Sequence, residues 1–179
     1  MEKIKRLNPE IVLIRGENIR GYLREAYQYA WDKSDDHLIK VGAVITNQTL
    51  TEILSYGTNR FEGKKPSKRK MQDRDWIIEN ITHAEVDVIK NAKRAKERVR
   101  GAVMFAPWAS CTPCAQYMVD SGIRIVISHK EQMEKTPEEW YESIINGLNL
   151  IRKANIKHYA YDGKIGGVKA MFNGSVWKP

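Results

Sequence analysis

Two short motifs in this 179-residue chain carry side chains that can bind a transition metal. The first contains His83 and Glu85, and the second contains Cys111 and Cys114. An imidazole and two thiolates are ligands that Zn²⁺ favours, and three protein ligands leave its fourth coordination position open. Because an open zinc site activates water, the motifs predict hydrolytic chemistry in which Glu85, free of the metal, moves protons.

The spacing of the first motif indicates where in a helix it must lie. Residues two apart point about 200° away from each other in the middle of a helix. His83 and Glu85 can therefore flank one point only if that point lies off the start of the helix. Thr82 is predicted to cap this helix, which should run to about Arg98.

The second motif fits the start of another helix. Cys111 and Cys114 are three residues apart and share a helix face, and Pro113 suits the first helical turn. Each helix N-terminus carries about half a positive charge, which stabilises thiolates. The two helix starts are therefore predicted to converge on one zinc ion.

Two other interpretations of these motifs stay open. The chain has only two cysteines, so a disulfide framework and a Cys₄ or Cys₃His zinc site within one chain are excluded. A Cys-x-x-Cys pair can also be a thioredoxin-like redox centre. A structural zinc would need a fourth ligand, for which His37, His129 and His158 are the candidates. That site would indicate a zinc-stabilised nucleic-acid-binding or interaction module.

The elements around the motifs alternate between strands and helices, which predicts an α/β fold with three layers and an antiparallel hairpin at the front. A helix over 17–33 precedes a strand at 38–46, its hairpin partner at 50–56 and a long polar stretch at 57–80. Further helices are expected after residues 82, 112 and 137. Further strands are expected at 102–106, 123–128, 157–161 and 168–172.

The amino-acid composition indicates the general class of protein. The chain is 42% hydrophobic and 29% charged, which is ordinary for a globular protein and predicts one domain over residues 1–179. No apolar run approaches the roughly 18 residues needed to cross a bilayer, and no secretory signal is recognisable, so a cytoplasmic location is expected. The net charge of +8 suggests an anionic partner, either a nucleotide phosphate or a nucleic acid.

Several motifs together resemble the cytidine/deoxycytidylate deaminase superfamily, whose signature is His-x-Glu followed by Pro-Cys-x-x-Cys. They are His-Ala-Glu at 83–85, Ser-Cys-Thr-Pro-Cys-Ala at 110–115, Val-Gly-Ala-Val-Ile at 41–45 and Gly-Thr-Asn at 57–59. The likeness covers about residues 20–160 and is greatest to the zinc-dependent deoxycytidylate (dCMP) deaminases. It implies a three-layer α/β/α cytidine deaminase-like fold with a central mixed five-stranded sheet.

The resemblance also implies roles for individual residues. Zinc would be held by His83, Cys111 and Cys114, with Glu85 as the proton shuttle. Asn59 would hydrogen-bond the sugar, although an asparagine there is also an ordinary turn residue. The backbone near Ala84 and Ser110 would contact the base.

Other candidate substrate contacts follow from position along the chain. Trp108 precedes the cysteine loop and is either an aromatic wall beside the base or a core residue. Arg60 and Lys65 follow Asn59 in a variable stretch and are candidates for phosphate contact. His129 is interpreted as a surface residue, with an approach to the phosphate as the alternative.

The chain departs from the family pattern at three places. Ser110 stands where the family usually has proline before the first cysteine, and residues 128–130 replace its usual acidic and aromatic residues. Asp87 stands where dCMP deaminases usually have asparagine. A carboxylate facing the pocket would repel a phosphate, so Asp87 is expected to be solvated or paired.

The predicted function is zinc-dependent hydrolytic deamination of a cytosine nucleotide, dCMP to dUMP and ammonia, by attack of a zinc-bound hydroxide at C4. The alternative is a tRNA or nucleic-acid base deaminase, because Asn59-Arg60 resembles the corresponding turn in tRNA adenosine deaminases. Their Pro-Cys-x-Met-Cys motif, however, is not matched by Thr112-Pro113. The resemblance further implies a homo-oligomer and allows for regulation by nucleoside triphosphates, as in some dCMP deaminases.

Overall fold

The computed structural model of the chain describes residues 2–63 and 66–179. Its helices are α1 (Glu2–Leu7), α2 (Glu17–Lys33), α3 (Lys68–Gln72), α4 (Arg74–Asn80), α5 (Ala84–Arg94), α6 (Thr112–Ser121), α7 (Lys130–Glu134) and α8 (Tyr141–Lys153), with a 3₁₀ turn at Glu138–Trp140. Its strands are β1 (Val12–Ile14), β2 (Gly42–Thr46), β3 (Ile53–Thr58), β4 (Val103–Phe105), β5 (Ile125–His129), β6 (Lys157–Tyr161), β7 (Ala170–Phe172) and β8 (Ser175–Trp177). Within these ranges, no helix has the length and apolar character needed to cross a membrane.

The central sheet is mixed and has the strand order β1-β6-β5-β4-β2-β3. β2 is antiparallel to both of its neighbours, whereas β4, β5, β6 and β1 run parallel. The predicted α/β class is therefore confirmed, but the expected five strands are wrong because the sheet has six. The additional strand, β1, is three residues long, and both Val12 and Leu13 are exposed. The strand therefore lacks the alternation of apolar and polar residues by which a half-buried strand is recognised in a sequence.

Helices cover both faces of this sheet. Alternate residues of β2 point to opposite sides, so Val44 packs in a cluster with Leu23 of α2. Ile45 packs in another cluster with Ile89 of α5 and Met118 of α6. The result is the predicted three-layer arrangement, with α5 and α6 side by side on the same face.

The front hairpin is shorter than expected. The predicted strand at 38–46 begins only at Gly42, because the preceding loop turns around Asp36. The Asp36 carboxylate accepts hydrogen bonds from the backbone N–H groups of Leu38 and Ile39, at 2.9 and 3.1 Å. The region predicted as a strand at 168–172 forms β7, which pairs only with β8 and lies outside the central sheet.

The polar stretch at 57–80, for which the sequence predicted no helix, is partly helical. Ser67 caps α3 by accepting the N–H of Lys70, and Asp73 caps α4 by accepting the N–H of Trp76. Both are standard N-cap residues, but the high charge of the stretch hid its short apolar pattern. One residue of α4, Ile77, is fully buried. The stretch is therefore a helical insert between β3 and α5, with Ile77 in its buried face.

Candidate metal centre and active-site pocket

The structure brings His83, Cys111 and Cys114 together. Their potential ligand atoms all lie within 4.8 Å of one another. His83 Nδ1 is 3.4 Å from each of the two Sγ atoms. Within residues 2–63 and 66–179, no other group of three or more histidine, cysteine or acidic side chains is arranged to hold a metal ion. A compact set of one imidazole and two sulfurs fits zinc.

The two helix starts position these ligands as expected. His83 is the N-cap of α5 and Cys111 is the N-cap of α6, both with extended backbone angles. Cys114 lies in the first turn of α6, after Pro113. The positive ends of both helices therefore point towards the sulfur atoms, which favours thiolates there.

The prediction that Thr82 caps α5 is wrong. The helix begins at Ala84, and the cap position belongs to His83. Thr82 instead forms an antiparallel bridge with Arg60 through two backbone hydrogen bonds of 2.9 Å, and its hydroxyl donates to Glu62. This bridge fixes the chain just before His83, so the metal ligand is held by β-type pairing on one side and by a helix on the other.

Burial and neighbouring charges shift the pKa values of the groups in the site. The hydrogen bond from Cys114 and the neighbouring His83 lower the pKa of Cys111 to about 4. Burial raises the pKa of Glu85 and the charge of Cys111 raises it further, while the charge of His83 opposes the increase. Burial lowers the pKa of His83, but its hydrogen bond with Cys111 and the charge of that residue bring it above the ordinary value. A buried carboxyl group with a raised pKa suits proton exchange near neutral pH.

An open pocket adjoins the cluster. It reaches His83, Glu85 and Cys111 at one end. Most of the lining is apolar, and the isoleucine and tryptophan side chains in it are Ile39, Ile78, Ile81, Trp108, Trp140 and Ile144. Such a pocket suits a flat, largely apolar group that is oriented by a few polar contacts.

Asn59 lines this pocket and is nearly buried. Its side-chain amide donates to the carbonyl of Ile39 at 3.1 Å, and its backbone N–H donates to the carbonyl of Val41 at 3.2 Å. Among the described residues, no group donates to the side-chain carbonyl oxygen of Asn59. The amide is therefore fixed in orientation with an acceptor left for a ligand.

Ala84 and Ser110 flank the metal ligands, and neither residue lines the pocket. Both are buried. The contact between their backbone and a bound base, which the resemblance implies, stays a prediction. The hydroxyl of Ser110 donates to Sδ of Met118 at 3.8 Å.

Trp108 lies between the pocket and the core, and its contact with a bound base stays a prediction. It forms part of the pocket wall, and its indole N–H donates to Thr136 Oγ1 at 2.8 Å. Its ring packs edge-on against Phe172 and Trp140, with centroid distances of 4.9 and 6.3 Å. The ring is thus a rigid surface, held in place by the core behind it.

The two described candidates for phosphate contact, Arg60 and His129, do not line this pocket. Arg60 is exposed and pairs with Thr82, and Lys65 lies outside the described residues. The interpretation of His129 as a surface residue is wrong, because it is fully buried. Its Nδ1 lies 2.8 Å from the hydroxyl of Tyr27, and its Nε2 lies 3.0 Å from the carbonyl oxygen of Gly163.

The histidines considered as a fourth zinc ligand are all engaged or exposed elsewhere. Both ring nitrogens of His129 are hydrogen-bonded, as described above. His158 Nδ1 lies 3.3 Å from Asn8 and its Nε2 lies 3.0 Å from Ser128 Oγ. His37 is exposed and does not line the pocket. The described part of the chain therefore provides three ligands to the site.

Asp87 is paired and buried. Its carboxylate accepts the backbone N–H of Thr58 at 3.0 Å and the side-chain amide of Asn91 at 3.2 Å. It thereby ties α5 to β3, and it does not line the pocket. This carboxylate therefore does not repel an anionic ligand at close range.

The sequence interpretation missed an ion pair in the pocket wall. Arg74 of α4 contacts Asp36 with an N–O distance of 2.8 Å, and both residues line the pocket. Asp36 follows Ser34 in a turn, where a capping role for the aspartate could have been expected. Nothing in the sequence pairs it with Arg74, which lies 38 residues away.

Gly147 of α8 lies against the backbone of the cysteine loop. A Cβ at this position would lie 2.9 Å from the carbonyl carbon and 3.0 Å from the carbonyl oxygen of Cys111, and it would also overlap the carbonyl oxygen of Ser110. Because the backbone must move, we expect Gly147→Ala to lower the free energy of unfolding by about 1–3 kcal/mol. The shifted loop should also retain less zinc, which metal analysis of the purified variant would measure.

A matched control is Gly21→Ala in α2, where a Cβ would meet nothing within 4 Å. Alanine is favoured over glycine by roughly 0.5–1 kcal/mol inside a helix, so this variant should be more stable and keep its zinc. Equal zinc content in both variants would show that Gly147 does not set the position of the cysteine loop.

Comparison with known proteins places this geometry in a family. Residues 17–130 match the model of the cytidine and deoxycytidylate deaminase zinc-binding region. The deoxycytidylate deaminases of Enterobacteria phages T2 and T4 are each 29% identical to the chain over 96 residues, or 53% of its length. The match covers 50% and 48% of those proteins, so the chain spans about half the length of the curated relatives it matches.

Solved structures show the same fold. The dCMP deaminase of cyanophage S-TIM5, in complex with dCMP and dUMP, aligns over 82% of this chain and 98% of its own, with a TM-score of 0.62 and 16% identity. A Thermotoga maritima diaminohydroxyphosphoribosylaminopyrimidine deaminase/reductase aligns over 80% of this chain and 36% of its own, with a TM-score of 0.57 and 20% identity. The family match includes both metal-binding motifs and extends over well more than half of the sequence. The chain therefore belongs to the cytidine and deoxycytidylate deaminase zinc-binding family.

Proposed function

We propose that this protein hydrolyses the exocyclic amine of a cytosine nucleotide, converting dCMP to dUMP and ammonia. The observation that carries the proposal is the compact set of His83, Cys111 and Cys114 at the end of an apolar pocket, with the buried carboxyl group of Glu85 beside it. The deoxycytidylate deaminases among its relatives support this choice of substrate.

The chemistry follows from the groups around the cluster. Zinc held by the three ligands would supply Lewis-acid activation of a water molecule. Glu85 accepts a proton from that water and delivers it to N3 of the ring as the C4–O bond forms. The same carboxyl group then takes the second proton of the attacking oxygen to the exocyclic nitrogen, and the C4–N bond breaks to release ammonia. One water is consumed, and the C4 amine is replaced by a carbonyl.

Other residues of the pocket hold the substrate. The free carbonyl of the Asn59 side chain accepts a hydrogen bond from a sugar hydroxyl, and the indole of Trp108 packs against the base. The side chains of Ile39 and Ile144 exclude water from the remaining surface of the ring. Since Asn59 and Trp108 are both fixed by hydrogen bonds, little ordering is required when the substrate binds.

A substrate panel tests the proposal. Purified, zinc-loaded protein is incubated with dCMP, dCTP, cytidine and deoxycytidine, and the ultraviolet change and released ammonia are measured. We expect the highest kcat/KM with dCMP. No change with any of the four compounds would reject deamination of a free cytosine nucleotide. A tRNA or single-stranded nucleic acid as fifth substrate would test the alternative, a nucleic-acid base deaminase.

The homo-oligomer, triphosphate regulation and cytoplasmic location implied at the sequence level stay predictions. The exposed edge strand β1, with Val12 and Leu13 on its surface, is compatible with assembly of several copies.

A further inference from the structure

Arg74 is the one lysine or arginine among the described residues that line the pocket. It lies at the start of α4, in the helical insert between the front hairpin and α5. The remaining wall is mostly apolar, so any anionic part of a ligand must find its partner there or outside the pocket. Arg74 is thus the position from which the pocket can recognise negative charge.

The guanidinium is held in place with several donors left over. Its Nη1 donates to both carboxylate oxygens of Asp36, at 2.9 and 2.8 Å. The Asp36 side chain is 1% exposed, whereas the Arg74 side chain is 30% exposed. Within the described ranges, neither Nε nor Nη2 of Arg74 donates to a protein group. Three N–H groups are therefore available to an anion.

Asp36 also fixes the distance between Arg74 and the rest of the site. The same carboxylate that holds Arg74 binds the backbone N–H groups of Leu38 and Ile39. The carbonyl of Ile39 in turn accepts the side-chain amide of Asn59. The buried carboxylate of Asp36 thus orients the guanidinium of Arg74. It also fixes the loop at Ile39, which in turn holds Asn59, the proposed sugar contact.

We propose that Arg74 binds the 5′-phosphate of the substrate, with Asp36 as its positioning residue, and that this contact selects nucleotides over nucleosides. The inference rests on the proposed function and adds the group by which the site would recognise the phosphate. Arginine suits this task because its planar N–H groups match phosphate oxygens. Asp36 offsets much of its net charge, so the contact depends on directed hydrogen bonds more than on long-range attraction.

The test compares two substrates in the zinc-loaded enzyme. For Arg74→Gln, we expect the ratio of kcat/KM for dCMP to that for deoxycytidine to fall about 10- to 100-fold, the usual effect of losing a hydrogen bond to a charged group. Because this variant leaves the buried Asp36 carboxylate unpaired, the double variant Asp36→Asn, Arg74→Gln is measured beside it. Asparagine at position 36 can still accept the two backbone N–H groups. The ratio of kcat/KM for dCMP to that for deoxycytidine should therefore fall as much in the double variant as in Arg74→Gln.

Arg69→Gln on α3 is the matched control. Arg69 is exposed, does not line the pocket and carries the same charge, so its loss should leave the ratio within about threefold if attraction at a distance is weak. An unchanged ratio in both Arg74 variants, or an equal fall in Arg69→Gln, would overturn the role of Arg74 while leaving deamination intact. A wild-type protein inactive on every cytosine compound would instead reject the proposed function itself.

Discussion

Glu85→Gln should lose about 10²- to 10⁴-fold in kcat for dCMP while binding as much zinc as the wild-type protein. Glutamine has nearly the shape of glutamate, but it cannot carry a proton from water to the ring and the leaving amine. The carboxyl group is buried, so bulk water has little access to replace it. Steady-state kinetics together with metal analysis of the same preparation would measure both effects.

Asp87→Asn provides the comparison for this variant. Asp87 is also a buried acid of α5, two residues away, but it binds the backbone of Thr58 and does not line the pocket. The asparagine oxygen can still accept that N–H, so activity should stay within a few-fold of wild type. If Glu85→Gln loses zinc together with activity, Glu85 is a metal ligand and its role as a free proton carrier is wrong.

The placement of the two cysteines was predictable because they are close in sequence. Two ligands three residues apart, with a proline between them, fit the start of a helix, and α6 begins there. The periodic apolar residues of α2 likewise predicted its bounds, 17–33, which the structure confirms. In both cases local geometry leaves few alternatives.

The shape of the pocket was less predictable because it depends on contacts between distant segments. Asp36 and Arg74 are adjacent only because the helical insert folds back over the loop before β2. A stretch rich in charge and containing Pro66 is typical of a loop, and its two short helices depend on caps and on the burial of Ile77. Tertiary packing here outweighs local composition.

The burial of His129 was likewise not predictable from the neighbouring sequence. It follows an apolar strand and precedes charged residues, a pattern that suggests a strand end at the surface. Its ring is instead covered by α2 through Tyr27 and by Trp177 of β8, which stacks on it with a centroid distance of 6.2 Å. Trp177 lies 48 residues further along the chain, so no local pattern could have predicted this contact.

Removal of one sulfur ligand is expected to have the largest effect of all. Cys114→Ala leaves only His83 and Cys111, and two protein ligands rarely hold zinc tightly in a site of this type. We expect zinc content near zero and dCMP deamination below detection. Because zinc stabilises the folded state that binds it, chelation should lower the thermal midpoint of the wild-type protein but leave that of Cys114→Ala unchanged.

Ser121→Ala, at the other end of α6, controls for truncation of a buried side chain in the same helix. The hydroxyl of Ser121 is buried without a hydrogen-bond partner among the described residues, so its loss should be close to neutral and leave zinc bound. Chelated wild-type protein and Ser121→Ala should both regain activity when zinc is returned, whereas Cys114→Ala should not. Zinc retained by Cys114→Ala at wild-type stoichiometry would mean that the ion is held by a different set of ligands.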